Sequence, residues 1–165
     1  MRRRTLLAAA SVLSLSAMLL PAAPALADEA ANIAVVEAYL AAWNAHDINA
    51  AASHFADNVV YYDSSVGTPV EGKEAATSGV VASFINAAPD LKWEMQGAPV
   101  ASGDKVAFEW KFSGTNTGAW GDGTAASNKA FSFTGASMFE IKDGAIVHQS
   151  DYYDALGFFK QLGWL

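Results

Sequence analysis

The residues most able to do chemistry stand around the last predicted strand of the chain. The run Ala145–Tyr153 is strand-like, and side chains in a strand alternate between its two faces. One face receives Ile146, His148, Ser150, Tyr152 and, if the strand continues, Asp154; the other receives Val147, Gln149, Asp151 and Tyr153. His148 is therefore a candidate titratable group beside Asp154, although ionisable residues on strand faces are more often solvated or hydrogen-bonded. A bulge in the strand would turn Asp151 to this face instead.

A second candidate lies where another predicted strand ends. The apolar-alternating run Lys105–Thr115 is followed by the glycine-flanked sequence GTNTGAW, in which Asn116 is central. An asparagine side chain can donate to and accept from a ligand carbonyl group but cannot titrate, so it could orient a substrate or steady an enolate. Threonine and asparagine between two glycines are also ordinary turn residues. We expect the strand to open onto a ligand, with Asn116 as a binding residue.

Several other chemistries are poorly supported by the sequence. Cysteine is absent, and His46, His54 and His148 lack the spacing of a zinc site, so we predict no metal. The stretch GASMF lacks the second glycine of a nucleophile elbow, and no glycine-rich strand-to-helix loop suggests a nucleotide, so we predict no cofactor. The net charge of −7 and the absence of arginine after Arg4 make nucleic acid a poor candidate partner.

The N-terminal segment has the three parts of a secretory signal peptide. Three arginines precede the apolar stretch 6–20, and an Ala-x-Ala site ends at Ala27. We predict cleavage after Ala27, a mature domain of residues 28–165, and a periplasmic or secreted location with no membrane span in the mature form. A loose twin-arginine pattern is present, but three arginines are also ordinary in a general secretory signal, which we favour.

The positions of these candidates depend on the order of the elements. Helical spacing of apolar residues predicts helices over Glu29–Asn44, 48–56 and 73–86. Strand-like runs follow at 58–63, 91–100, Lys105–Thr115, 129–142 and Ala145–Tyr153, and a short helix over 154–162 closes the chain. Asp143-Gly144 is a strong hairpin signal. The order predicts an α+β domain in which three N-terminal helices cover one face of a curved antiparallel sheet.

At this level the sequence resembles the nuclear transport factor 2-like superfamily, and within it the SnoaL-like polyketide cyclase, or ester cyclase, branch. The resemblance rests on the helical pair before FADNVVYYD, on EGKEA, on FINAAPDLKWE, on GTNTG and on the terminal DALGFFKQLG. It implies a cone-shaped sheet around a pocket. It also implies that the position of Asp154 is a general acid/base, although the same residue could be no more than a helix N-cap. Tyr62 and Asp63 lie where superfamily enzymes often place pocket residues, although an aspartate leaving a strand is commonly turn chemistry.

The chain departs from the pattern of the active cyclases at three places. Asn116 stands where the family usually has histidine, Ser150 replaces a tryptophan four residues before the aspartate, and TAASN replaces a Pro-Pro-Thr-Gly stretch. These departures weigh against polyketide cyclisation specifically, while the pocket is still expected. We predict an exported small-molecule pocket protein of the SnoaL-like kind, and the first hypothesis for its activity is cofactor-free acid/base chemistry of the cyclase or isomerase type on an apolar carbonyl compound. The alternative is a non-catalytic domain that binds a small apolar or aromatic ligand. A homodimer through the outer sheet face is a further prediction.

Overall fold

The computed structural model describes residues 29–165, so the predicted signal peptide lies outside the described residues. Helix α1 spans Glu29–Asn44 and α2 spans Ile48–Ser53. A continuous helical segment then comprises α3 (Lys73–Ala76), a π-helical turn (Thr77–Val81) and α4 (Ala82–Ala87), and α5 spans Ala155–Leu162. No helix within these residues is long and apolar enough to cross a membrane.

Six strands form one sheet, with β1 at Phe55–Asp63, β2 at Val70–Glu71, β3 at Lys92–Ser102, β4 at Lys105–Thr115, β5 at Ala130–Lys142 and β6 at Ala145–Tyr153. Their order is β2-β1-β6-β5-β4-β3. The α+β class predicted from the sequence is confirmed. One pair differs from the antiparallel prediction, because β1 and β6 run parallel at the point where the C-terminal meander returns to the first long strand.

The boundaries differ from the predictions mainly around β1. The second helix ends at Ser53 rather than Ala56, because Phe55 already begins the strand. Strand β2 was not predicted; it pairs with β1 through Val70 and Glu71. The β5–β6 turn was predicted correctly, since both Asp143 (φ 52°) and Gly144 (φ 76°) have the positive φ that a two-residue hairpin turn needs.

The core lies between the helices and the inner face of the sheet. On β4, Val106, Phe108, Trp110 and Phe112 are buried, whereas Glu109 and Lys111 are exposed. This is the alternation that the sequence predicts. Asn44 at the end of α1 donates to the Trp93 carbonyl (2.8 Å) and accepts from the Trp93 amide (2.9 Å). The side chain of Asn44 thus pairs with β3 as another strand would, and it fixes α1 over the sheet.

Candidate functional site

The inner face of the sheet and the helices enclose a mostly aromatic cavity with two carboxylates in its wall. Its lining residues are Trp43, Tyr61, Asp63, Phe84, Trp93, Trp110, Phe112, Phe133, Asp151 and Tyr153. The cavity among these side chains is small, with a volume of about 20 Å³. The cavity therefore has room for about one water in this conformation, and a larger ligand requires a side chain to move.

A bulge in β6 sets which residues reach this cavity. Ile146 pairs with Ile141 of β5, but His148 pairs with Glu140, so Val147 is an extra residue on β6. Beyond it the alternation is reversed relative to a regular strand: Gln149 and Asp151 are buried on the inner side. The predicted face that joined Ile146 to His148 is therefore wrong, and the bulge turns Asp151 inward.

Asp151 and Asp63 are neighbours on the two parallel strands. They are directly in register, and each is only 4% exposed. Side chains in register on adjacent strands point to the same face and lie about 5 Å apart at the backbone. The parallel pairing of β1 with β6 is thus what brings the two carboxyl groups into one cavity.

Three polar side chains donate to Asp151, and a fourth supports one of them. Its Oδ1 accepts from the Ser137 hydroxyl (2.5 Å), and its Oδ2 accepts from the Tyr61 hydroxyl (2.7 Å) and from Nε2 of Gln149 (2.9 Å). Ser137 in turn accepts from the indole N–H of Trp110 (2.7 Å). The carboxyl group is therefore fixed in orientation by partners that are themselves held by the sheet.

Asp63 is held through one oxygen only. Its Oδ1 accepts from the backbone N–H and hydroxyl of Ser65 (2.8 and 2.5 Å), from the Val66 amide (3.3 Å) and from the Tyr153 hydroxyl (2.8 Å). None of residues 29–165 donates to Oδ2 of Asp63. The Asp63 carboxylate therefore stabilises the turn after β1 through Oδ1, and Oδ2 is available for another contact.

The environment of the pair favours the protonated acid on Asp151. Burial, and next the charge of Asp63, raise the pKa of Asp151 from 3.8 to about 7, although its three hydrogen-bond donors act in the opposite direction. Burial also raises the pKa of Asp63, against the hydrogen bonds from Ser65 and Tyr153. No lysine lines the cavity. The two carboxyl groups therefore resist being ionised together.

Buried polar atoms without partners lie around the same cavity. Within the described part of the chain, nothing bonds to the Tyr39 hydroxyl, to Oε1 of Gln149 or to the indole N–H groups of Trp43 and Trp93. Trp43 and Gln149 lie close to the Tyr39 hydroxyl, yet not in hydrogen-bond geometry. Of these residues, Trp43 and Trp93 line the cavity, whereas Tyr39 and Gln149 do not. Because an unmade buried hydrogen bond costs about 1–3 kcal/mol, the two indole N–H groups mark places where a bound molecule would gain affinity.

The residues predicted as the site from the sequence do not come together there, with the exception of Asp63. Asp154 is exposed and caps α5, where its Oδ1 accepts from the Gly157 amide (2.8 Å). His148 contacts the Ser150 hydroxyl (2.8 Å), and Tyr62 packs on Tyr152 (ring centroids 5.5 Å apart). The inward positions on these strands belong to their neighbours, so His148 and Tyr62 lie on the outer face of the sheet. None of the three lines the cavity.

Asn116 is fully buried and all its hydrogen bonds go to protein. Its Nδ2 donates to the carbonyls of Ala87 (3.0 Å) and Gly118 (2.8 Å), and its Oδ1 accepts from the Ser127 amide (2.7 Å). At Asn116 the stretch GTNTGAW therefore binds to the end of α4 and does not line the cavity. Gly118 is needed there, because a Cβ would lie 2.0 Å from the Asn86 carbonyl oxygen.

Comparison with known proteins gives the family. The chain matches the SnoaL-like polyketide cyclase family over residues 33–162. The chain belongs to this family. No curated protein matches it. Within residues 29–165, no group of three or more histidines and acidic residues is placed to hold a metal ion.

Solved structures agree with a SnoaL-like fold. The chain is similar to TsrD from Streptomyces laurentii (27% identity, TM-score 0.69, 84% of this chain and 98% of that one). It is also similar to a candidate SnoaL-like polyketide cyclase from Jannaschia sp. CCS1 (18%, 0.71, 81% and 92%). A third is a protein with a ketosteroid isomerase-like fold from Catenulispora acidiphila DSM 44928 (24%, 0.65, 78% and 92%). The predicted resemblance and fold are thereby confirmed.

The SnoaL-like resemblance indicates Asp154 as the acid/base, which lies three residues after Asp151, the aspartate that lines the cavity. Asp151 was assigned to the wrong face, because a period of two was extended through a bulge that the sequence does not mark. The sequence holds no signal that separates the two faces, since Tyr152 on one face is aromatic just as Tyr153 is on the other.

Proposed function

We propose that the protein binds a small apolar carbonyl compound and acts on it by cofactor-free acid/base chemistry of the cyclase or isomerase type, with Asp151 as the group that moves the proton. The observation that supports this most is the burial of Asp151 in an aromatic cavity, which raises its pKa to about 7. A group with that pKa is close to half protonated at pH 7, so it can both remove and return a proton.

The proposed reaction needs only groups of this chain. The Asp151 carboxylate removes a proton from the carbon next to the ligand carbonyl, and the electron pair moves onto the carbonyl oxygen as an enolate. In the cyclase reaction the enolate carbon attacks a second carbonyl group of the ligand, closing a ring, and the alkoxide formed takes the proton back from Asp151. In the isomerase reaction a carbon–carbon double bond is conjugated with the enolate, and Asp151 returns the proton to the far carbon of that system. Trp93 lines the cavity with a buried indole N–H that lacks an acceptor among the described residues, and it is the candidate donor to the enolate oxygen.

The fixed surroundings of Asp151 suit this role. Tyr61 and Ser137 hold the carboxyl group in one orientation, and burial raises the pKa of Tyr61 well above its ordinary value, so this phenol remains a donor. Asp63 disfavours ionisation of its neighbour, which keeps the proton available. The signal peptide predicted at residues 1–27 would place this activity outside the cytoplasmic membrane.

The test is α-proton exchange of 2-tetralone, an apolar aromatic ketone, followed by NMR in D₂O. The proposal expects exchange above the buffer rate, and a loss of about 100-fold or more in Asp151→Asn, because removal of a general base typically costs that much. Asp154→Asn is the matched control, and it is expected to exchange as the wild type does. Loss in Asp154→Asn with retention in Asp151→Asn would instead support the assignment made from the sequence. Binding of the ketone without any exchange would support the non-catalytic alternative.

A further inference from the structure

A groove on the outside of the molecule lies against the cavity, and the two share one side chain of the described residues. The groove has a volume of about 360 Å³, compared with about 20 Å³ for the cavity. The volume of the groove is within the usual range for small-molecule sites. Its wall consists mainly of Val66, Trp120, Phe158, Phe159 and Trp164 together with Phe84. Phe84 is the one residue of the described chain that lines both spaces.

Phe84 separates the two spaces through its ring contacts. On the cavity side its ring packs against Trp43 (centroids 6.5 Å apart) and Phe112 (5.8 Å). On the groove side it packs against Trp120 (5.3 Å) and Phe158 (6.2 Å). It stands three residues after the π-helical turn Thr77–Val81, an irregularity often found at functional sites. Movement of this one ring would join the groove to the cavity.

The turn after β1 is a second link between the spaces. Ser65 and Val66 line the groove, and both donate to Oδ1 of Asp63, which lines the cavity. The far wall is equally fixed: the Gly121 amide donates to the Ser83 hydroxyl (2.9 Å), which attaches the Trp120 loop to the helix that carries Phe84. The groove is therefore built directly against the candidate site.

The chemistry of the groove indicates its occupant. Trp120 is only 9% exposed, and its buried indole N–H has no acceptor in the described chain, so a ligand oxygen would complete it once the Trp120 ring tilts toward the groove. Ring faces on Trp120, Phe159 and Trp164 suit a planar molecule. The charged residue in the wall is Asp122, with no lysine to balance it, which disfavours an anionic ligand.

We propose that this groove is the entry subsite for a neutral, planar carbonyl compound, whose oxygen accepts a hydrogen bond from the Trp120 N–H and which reaches the two aspartates when Phe84 swings aside. The proposal rests on the function proposed above, since it supplies the route to that site. It also explains how a cavity with room for one water could serve a larger substrate.

The binding test uses 6-propionyl-2-(dimethylamino)naphthalene, a neutral naphthyl ketone whose fluorescence reports burial. The wild type is expected to bind it saturably. Trp120→Phe, which keeps a ring but removes the N–H, is expected to weaken binding about fivefold to tenfold, as the loss of one hydrogen bond would. Leu156→Ala is the control for dye on exposed apolar surface, because Leu156 is 56% exposed and outside the groove. Unchanged affinity in Trp120→Phe, or no saturable binding by the wild type, overturns the proposal.

The gate is tested separately. Phe84→Trp enlarges the barrier, so 2-tetralone exchange is expected to fall at least tenfold, and saturable binding of the naphthyl ketone, measured in parallel, shows that the groove still forms. If exchange by Phe84→Trp equals that of the wild type, Phe84 is not the entrance. Should Phe84→Trp not fold, Phe84→Leu, which thins the barrier, is expected to exchange at least as fast as the wild type, and a slower rate contradicts the gate. If exchange is lost in Asp151→Asn but is unchanged in Trp120→Phe and Phe84→Trp, the entry subsite is refuted and the catalytic function is not. If the wild type binds the naphthyl ketone in the groove but catalyses no exchange, the catalytic function is refuted and the entry subsite is not.

Discussion

Replacing Asp151 by asparagine should change the pH dependence of stability in a direction that can be calculated. The folded protein keeps the proton on Asp151 up to about pH 7, whereas the unfolded chain releases it near pH 3.8. Between these values the unfolded state binds fewer protons than the folded state, so this residue makes the wild type less stable as pH rises. The asparagine variant does not titrate and loses this penalty.

The size of the effect follows from the same two values. Each pH unit between them is worth about 1.4 kcal/mol of unfolding free energy. Asp151 therefore costs the wild type roughly 1 kcal/mol at pH 4.5 and about 4 kcal/mol at pH 8. Asparagine keeps the shape, and its amide can donate to Ser137 while its oxygen accepts from Tyr61 and Gln149. Any remaining packing cost is the same at both pH values and cancels in the comparison.

The assay is urea unfolding of wild type and Asp151→Asn at pH 4.5 and pH 8, followed by tryptophan fluorescence. The stability of the variant relative to the wild type should rise by about 3 kcal/mol between the two values. Asp154→Asn is the matched control: an exposed N-cap changed to another good cap should keep a constant difference of at most about 1 kcal/mol. A difference for Asp151→Asn that is the same at both pH values would show that this carboxyl titrates normally, and the reasoning for its role would fail.

Four further outcomes are expected. Asp63→Asn should lower the pH at which Asp151 titrates, seen as a downward shift of the exchange–pH profile, because the charge of Asp63 raises that pKa; an upward shift would contradict the coupling. Asn116→Ala should lower the free energy of unfolding by about 2–3 kcal/mol, measured in urea, since it removes the three hydrogen bonds of a fully buried side chain. Light scattering at micromolar concentration should show a homodimer; the exposed Met138 and Tyr152 give its outer sheet face apolar surface, and a clean monomer would refute it. N-terminal sequencing of exported protein should begin at residue 28, and a start at Met1 would count against cleavage.

The sequence predicts the elements well where one physical signal dominates. The aromatic alternation of β4 requires one buried face, and the Asp143-Gly144 turn requires two positive φ angles, so both features could be read without a partner strand. The hydrogen-bond partners of Asn116 could not be predicted in this way. Its neighbours mark a turn, but whether that turn meets a ligand or a helix end depends on α4, which lies about thirty residues earlier in the chain.

The bulge explains why the candidate site was displaced in the sequence analysis. A bulge is defined by pairing, since Val147 is extra only in relation to β5, and one residue of register reverses every later side chain. Asp63 was predicted as a binding residue and does line the cavity, although its role there stays a prediction. Its partner Asp151 could be recognised only after the parallel β1–β6 register was known.

The cavity charges are difficult to explain by stability alone. Two carboxyl groups lie side by side without a lysine or arginine, in a part of the chain that contains no arginine at all. An apolar or amide side chain in place of Asp151 would avoid the desolvation cost of a charge. Yet Ser137, Tyr61 and Gln149 all donate to this carboxyl group, and Trp110 supports Ser137 from behind. Such an arrangement fixes the orientation of an acid whose pKa is raised to about 7, which is what proton transfer to and from a bound carbonyl compound requires and what folding does not.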